Sequence, residues 1–228
     1  MNTKLNTRLD DTYKLNMDFT QGVCLRPNDQ VWAKSPSDGV SRVHLERVAE
    51  ESGHVTSFVT FEPDSYFPPH THPHGEEIFV LEGMFSDENG DYPAGTYIRN
   101  PPGSFHKPFT TEGCKLFVKL EQFNRDDTKQ AVIRPEDQQW EPGMGNLKVL
   151  PLHMFHTEST ALVAWPKDEV FQPHTHMGGE EIVVIRGCFI DEHGEYPAGT
   201  WLRSPHMSNH FPRVEEETLI YVKAGHLL

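Results

Sequence analysis

His70-Thr71-His72, with Glu76 four residues beyond it and His106 thirty residues after that, returns as His174-Thr175-His176, Glu180 and His210 at a constant offset of 104. A chain with 14 histidines produces single His-x-His pairs by accident. It does not by accident repeat four ligand-type residues at one offset inside a longer match. That match takes in Phe67 and Phe171, Gly83 and Gly187, Asp87-Glu88 and Asp191-Glu192, Tyr92-Pro93-Ala94-Gly95-Thr96 and Tyr196-Pro197-Ala198-Gly199-Thr200, then Arg99 and Arg203. Repetition at a fixed period is a fold-level signal, so the chain reads as two copies of one unit. Three imidazoles and a carboxylate suit a borderline divalent ion, Zn, Fe(II), Mn, Ni or Cu. The sequence therefore predicts two metal sites.

The weaker ends of the match set the boundaries. Asp29-Gln30-Val31-Trp32 resembles Asp137-Gln138-Gln139-Trp140 at an offset of 108, which gives the first copy a longer early loop near Ser35–Gly39. We expect an N-terminal arm over 1–25, a first domain over 26–123 and a second over 124–228, each domain near the usual size. The polar run Asn124 to Gln130 reads as the linker. The arm lacks the apolar run and cleavage site of a signal peptide.

A formal charge of −14 argues against a phosphate-binding surface, because nucleic-acid affinity comes largely from Lys and Arg. No segment reaches the eighteen or so apolar residues of a membrane span. Cys24, Cys114 and Cys188 share no position across the repeat, so no disulfide or Cys-rich zinc framework is implied and a reducing cytoplasm is expected. The expected partner is a small molecule, with neither nucleic acid nor membrane involved. Monomer and homodimer both fit.

Ile78–Leu81, Ile182–Ile185, Lys115–Val118 and Leu219–Val222 are short branched and aromatic runs, the pattern of strands. Turn signals such as Asn89-Gly90 and Pro101-Pro102-Gly103 separate them. With no sustained helical period, each half is all-β, a sandwich or small barrel. Side chains alternate faces along a strand, so His70 and His72 share a side. Glu76 shares their parity, but a Gly-containing loop can shift the count, which leaves Glu77 open. The same parity would aim Met84 and Cys188 inward, where packing against the core is their simplest role.

His70-x-His72-x3-Glu76-x6-Gly83 and Gly95-x5-Pro101-x-Gly103-x2-His106 resemble the two signature motifs of the cupin superfamily. The second copy repeats them with Met207 in place of the last Gly. The stretch Tyr92–His106 is similar to the cupin domain of ChrR-like proteins, the zinc-containing anti-sigma factors. The resemblance implies two tandem double-stranded β-helices. It selects Glu76 and Glu180, and it assigns ligand roles to His70, His72, Glu76 and His106 and to His174, His176, Glu180 and His210. ChrR binds its sigma factor through a helical domain with further zinc ligands. Here about 25 residues containing only Cys24 precede the first copy, which argues against a sigma-factor partner.

Four protein ligands leave positions open on an ion that prefers six, as catalytic sites do. Two functions follow. One is a metal-dependent oxygenase acting on a diketone or aromatic ketone, and the resemblance to cupin dioxygenases supports it with Fe(II). The other is a zinc-bound regulatory or sensory cupin without catalysis. Tyr97 and Trp201 line each pocket or belong to the core. Arg99 and Arg203 clamp a substrate carboxylate or fix a turn through backbone carbonyls. His74, matched by Gly178, is a proton shuttle or a solvated loop residue.

Overall fold

The computed structural model describes residues 14–49 and 52–227. The expected N-terminal arm is thus seen only from Lys14, and residues 1–13 lie outside the described residues. Among those described, every regular element is a strand except two single-turn 3-10 helices, Pro27–Asp29 and Pro135–Asp137, at matching places in the repeat. None of the described helices is long and apolar enough to cross a membrane.

The chain forms two compact units, described here over 14–17 with 32–132 and over 18–31 with 133–227. The repeat placed a boundary at residue 25, but hydrogen bonding assigns the whole segment 18–31 to the second unit. Val23–Leu25 pairs antiparallel with Trp201–Ser204, Val23 opposite Arg203 and Leu25 opposite Trp201. Such a long-range pairing leaves no local pattern in sequence.

The first unit is built on an antiparallel sheet whose neighbours run Tyr97–Asn100, Glu76–Asp87, Cys114–Leu120, Val55–Phe61, Val40–Arg47 and Ala33–Lys34. A two-stranded ladder, His70–Thr71 with Phe105–His106, accompanies it. The second unit repeats the order with Trp201–Ser204, Glu180–Arg186, Thr218–Ala224, Glu158–Trp165 and Lys148–Phe155, and with its own ladder, His174–Thr175 against Asn209–His210. Alternate residues of the long strands fill each core. In the first, Val59, Ile78, Val80, Leu116 and Phe85 are buried together; in the second, Trp165, Ile182, Val184, Ile220 and Phe189. Each such side chain contributes roughly 1.5–3 kcal/mol by leaving water.

A β-bulge interrupts the alternation of the strand that follows the ligand glutamate in each copy. Leu116 lies opposite Val80 and Lys115 opposite Glu82, which leaves Leu81 unpaired; Ile185 is skipped in the same way. One extra residue inverts the facing of all that follow. Phe85 and Phe189, each 1% exposed, therefore point inward, and the expected inward sulfurs of Met84 and Cys188 are only half-buried. The strand bends next at Gly83 and Gly187, with φ of +74° and +78°. A Cβ there would collide with the carbonyl oxygens of Gly113 and Glu217. Only glycine meets both demands.

Candidate metal centres

Pairing of the short ladder brings distant ligands together. His106 lies directly opposite His70, and His210 opposite His174. His72 follows on the next rung, and its backbone is clamped by the motif turn: its N–H donates to Ser104 O at 2.9 Å, and its carbonyl accepts from Gly103 N at 2.8 Å. In the second unit Ser208 and Met207 take the same roles for His176, each at 2.9 Å. Glu76 and Glu180 open the long strands beside them. Glu77 points to the other face, where its Oε1 accepts from Tyr97 Oη at 2.9 Å, so geometry and motif agree on Glu76.

In each cluster, four ligand atoms lie within 4.8 Å of one another. The three rings stand edge-to-face, with centroids 4.7–4.8 Å apart in the first cluster and 4.6–4.8 Å in the second. Within the first cluster, His72 Nε2 and His106 Nε2 come to 3.3 and 3.5 Å from Glu76 Oε2, yet neither nitrogen has a hydrogen-bond partner. His176 Nε2 and Glu180 Oε2 are likewise buried and unpartnered. Buried polar atoms left without partners are costly, so several converging on one point fit a cation-binding site. The donor set suits a transition ion.

The protonation states fit as well. Burial lowers the pKa of His72, helped by His106 and His70 against the pull of Glu76. Burial, then His210 and His174, brings His176 down to about 3. Metals bind neutral imidazole, which these positions favour. Burial also pushes Glu180 up to about 7, with Asp191 adding to the rise and His210 opposing it. The two carboxylates differ in their hydrogen bonding. Asn100, opposite Glu76 in the ladder, donates from Nδ2 to Glu76 Oε2 at 2.9 Å, whereas Ser204 stands opposite Glu180. No hydrogen bond joins Ser204 to Glu180, whose Oε2 stays unpartnered.

A second layer orients the ligands. His70 Nδ1 approaches Pro68 O at 2.8 Å and His174 Nδ1 approaches Gln172 O at 3.1 Å, which turns Nε2 toward the centre. Asp191 Oδ2 lies 3.3 Å from His210 Nδ1, and Asp87 Oδ2 lies 3.7 Å from His106 Nδ1. Each aspartate is fixed in turn by a tyrosine hydroxyl, Tyr92 on Asp87 at 3.0 Å and Tyr196 on Asp191 at 2.9 Å. Asp87 and Asp191 recur in the sequence at the ligand offset, and that signal could have assigned them.

The remaining expected positions resolve as follows. Tyr97 and Trp201 are fully buried on the face away from the ligands, where Trp201 Nε1 donates to Glu181 Oε1 at 2.7 Å; neither lines the cavity at its cluster. Arg99 is no carboxylate clamp for a substrate. Its guanidinium holds both carboxylate oxygens of Asp127, donates to Lys129 O and lies 4.0 Å over Phe123, so it ties down the linker. Arg203 donates to Asp18 O and Gln21 O, which secures the segment 18–31, although part of it also borders the second cavity. His74 is exposed, as a solvated loop residue is.

Each cluster adjoins a cavity. The first, about 440 Å³, is walled by Val40, Val59, Phe67, Ile78, Phe85 and Leu116 and reaches His70, His72, Glu76 and His106. The second, about 300 Å³, reaches His176, Glu180 and His210 and is bordered by Gly22, Val23, Cys24, Leu202 and Arg203.

Two β-barrel units, each with a His3Glu cluster built from an H-x-H rung, a strand-opening glutamate and a returning histidine, define a bicupin. The chain belongs to the family of ChrR cupin-like domains, whose model matches residues 20–124 and again 128–228. No curated protein matches it significantly. Among solved structures, it is similar to a candidate dioxygenase of Nostoc punctiforme PCC 73102 (TM-score 0.76, 14% identity, 91% of this chain and 84% of that one). It is also similar to the nickel(II)-bound pirin of Escherichia coli (TM-score 0.68, 15% identity, 91% and 100%). A third likeness is to an oxalate decarboxylase of Lactobacillus farciminis in complex with formate (TM-score 0.63, 14% identity, 89% and 86%). At these identities the likeness is one of fold.

Proposed function

We propose that the protein is a metal-dependent, oxygenase-type enzyme that acts on a small carbonyl compound, a diketone or aromatic ketone, in the cavity of its first unit. The observation that carries this reading is the joining of a ligand cluster with unpartnered buried nitrogens to an apolar cavity of about 440 Å³. That volume lies within the roughly 300–1,000 Å³ of small-molecule sites.

His70, His72, Glu76 and His106 would hold the ion. When bound, a divalent transition ion supplies Lewis acidity toward a substrate oxygen and, if ferrous, electrons for reaction with dioxygen. The chain's own residues do the rest. Phe67 and Phe85 stand against the ligand rings, with centroids 5.3 Å from His70 and 6.1 Å from His106, and with the aliphatic wall they exclude water from the reacting end. Asp87 Oδ2, 3.7 Å from His106 Nδ1, biases that ring's orientation by its charge. His70 is the ligand left half-exposed, which places the open side of the cluster toward the cavity.

The test is oxygen uptake by iron-loaded protein given diketone and hydroxyacetophenone substrates. Uptake that His70→Ala abolishes and His174→Ala retains is the expected result. Family membership favours a second reading, a ChrR-like sensory bicupin whose metal or small-molecule occupancy alters engagement of another protein. Metal-replete protein that stays silent across a broad carbonyl panel would replace the first reading with this one.

A further inference from the structure

One buried hydroxyl of the first unit is left without a hydrogen bond. Val55, Ser57, Val59 and Phe61 are alternate residues of the strand Val55–Phe61, and all four border the first cavity. Three are apolar. Ser57 is 2% exposed, and its Oγ has no hydrogen-bond partner. Among the described residues that border this cavity, the other buried side-chain atoms in that condition are His72 Nε2 and the ring nitrogens of His106, all in the ligand cluster.

The remaining polar side chains on the cavity border are engaged or exposed. His44, directly opposite Ser57 in the ladder, has its ring nitrogens 3.0 and 2.8 Å from a guanidinium nitrogen of Arg47. Arg47 Nε donates to Ala49 O at 2.8 Å, the Arg42 guanidinium lies 5.5 Å over the Phe67 ring, and Glu121 Oε1 accepts from Gly53 N at 3.2 Å. Ser52 and Thr71 are exposed. A buried hydroxyl without a partner is costly. A water beside it would need about two to four polar partners, and the adjoining Val55, Val59 and Val118 side chains supply none. Register places the hydroxyl relative to the ligands. Glu76 stands opposite Leu120, and Ile78 stands opposite Val118, whose other neighbour is Ser57. Two strand spacings of about 4.8 Å put Ser57 roughly 10 Å across the sheet from Ile78. The ligand cluster and the hydroxyl are thus separate polar points on one apolar cavity, an arrangement that fixes the orientation of a small molecule.

We propose that the first cavity takes a carbonyl compound with a second oxygen, a hydroxyl or a further carbonyl, seated on Ser57 Oγ while the reacting carbonyl is turned toward His70, His72, Glu76 and His106. A serine hydroxyl both donates and accepts, so it serves either oxygen. This rests on the metal-enzyme reading for the reacting end and on Ser57 alone for the far end.

Metal-loaded protein of measured metal content would be titrated by calorimetry with meta- and para-hydroxyacetophenone and with meta- and para-methylacetophenone, in which an apolar group of like size replaces the hydroxyl. In at least one pair, Ser57→Ala should shift the preference about fivefold toward the methyl compound, the worth of one neutral hydrogen bond, with metal content unchanged. Ser57→Thr, which keeps the hydroxyl, should stay nearer the wild type. Ala161 pairs with Val222 in the second unit as Ser57 pairs with Val118 in the first, so a strand of this kind accepts alanine there. Should Ser57→Ala nonetheless fail to fold, Ser57→Cys takes its place with the same expectation. A preference unchanged by the substitution in both pairs, or failure of both hydroxy compounds to bind the wild type, overturns the proposal. Oxygen uptake judges the other reading separately. A Ser57-dependent preference without uptake ends the oxygenase and keeps the subsite, whereas uptake and binding both indifferent to Ser57→Ala end the subsite and keep the oxygenase.

Discussion

Asp191 Oδ2 stands 3.3 Å from His210 Nδ1, which leaves Nε2 of that ring facing Glu180 at 3.8 Å. Burial pushes the Asp191 carboxyl up, but His210, the His193 N–H and the Tyr196 hydroxyl outweigh it and hold it below its ordinary value. The aspartate thus stays anionic and fixes the imidazole tautomer. Partners of this kind typically change metal affinity by about 10–100-fold. Asp191→Asn is expected to weaken the second site by that factor in chelator competition. Asp87→Asn should do less at the first site, where the contact is 3.7 Å. Unchanged affinity in Asp191→Asn would show that His210 is oriented by something else.

Each cluster should hold its own ion. His70→Ala and His174→Ala are each expected to lose one metal equivalent by elemental analysis, and the double variant both. Chelation should also lower the unfolding midpoint, because an ion that binds only the folded state stabilises it, by about 2.7 kcal/mol at a hundredfold excess over its dissociation constant. A single substitution that loses no metal contradicts the assignment at that cluster.

The ligands were legible in sequence because the chain states them twice, and the strands because short branched and aromatic runs stand between turn residues. What escaped was non-local or depended on a break in the alternation. The bulges at Leu81 and Ile185 invert the facing of Met84 and Cys188, and no residue there announces an unpaired rung. The assignment of 18–31 to the second unit rests on Val23–Leu25 finding Trp201–Ser204 far along the chain.

Met207 marks the one departure from the motif, and the backbone shows its cost. It adopts φ +62° where Gly103 has +83° in the equivalent turn. A Cβ at Gly103 would meet nothing within 4 Å, so the turn admits a side chain, and Met207 is 56% exposed. Only the left-handed backbone is unfavourable, by about 1 kcal/mol for a residue with a Cβ. Met207→Gly should therefore stabilise the protein by about that amount in denaturant unfolding. A destabilised variant would mean that the Met207 side chain makes a contact worth more than the strain.

His44 supplies a pH dependence with a definite sign. Burial first, then Arg47 and Arg42, lowers its pKa from 6.5 to about 4. Below pH 6.5 the unfolded chain takes up a proton at this position that the folded protein refuses, so acid favours unfolding. The stability contributed by a neutral His44 is fully present above 6.5 and is lost as pH falls from 6.5 through about 4. His44→Gln, which cannot titrate, should flatten the fall in stability across that window while leaving the slope above pH 7 unaltered. Denaturant unfolding of wild type and variant at half-unit steps from pH 7.5 to 4, with ion-free protein in both series so that metal release cancels, measures the difference directly. Parallel curves through the window would show that His44 titrates alike in the folded and unfolded chain, and that burial and the two arginines do not lower its pKa.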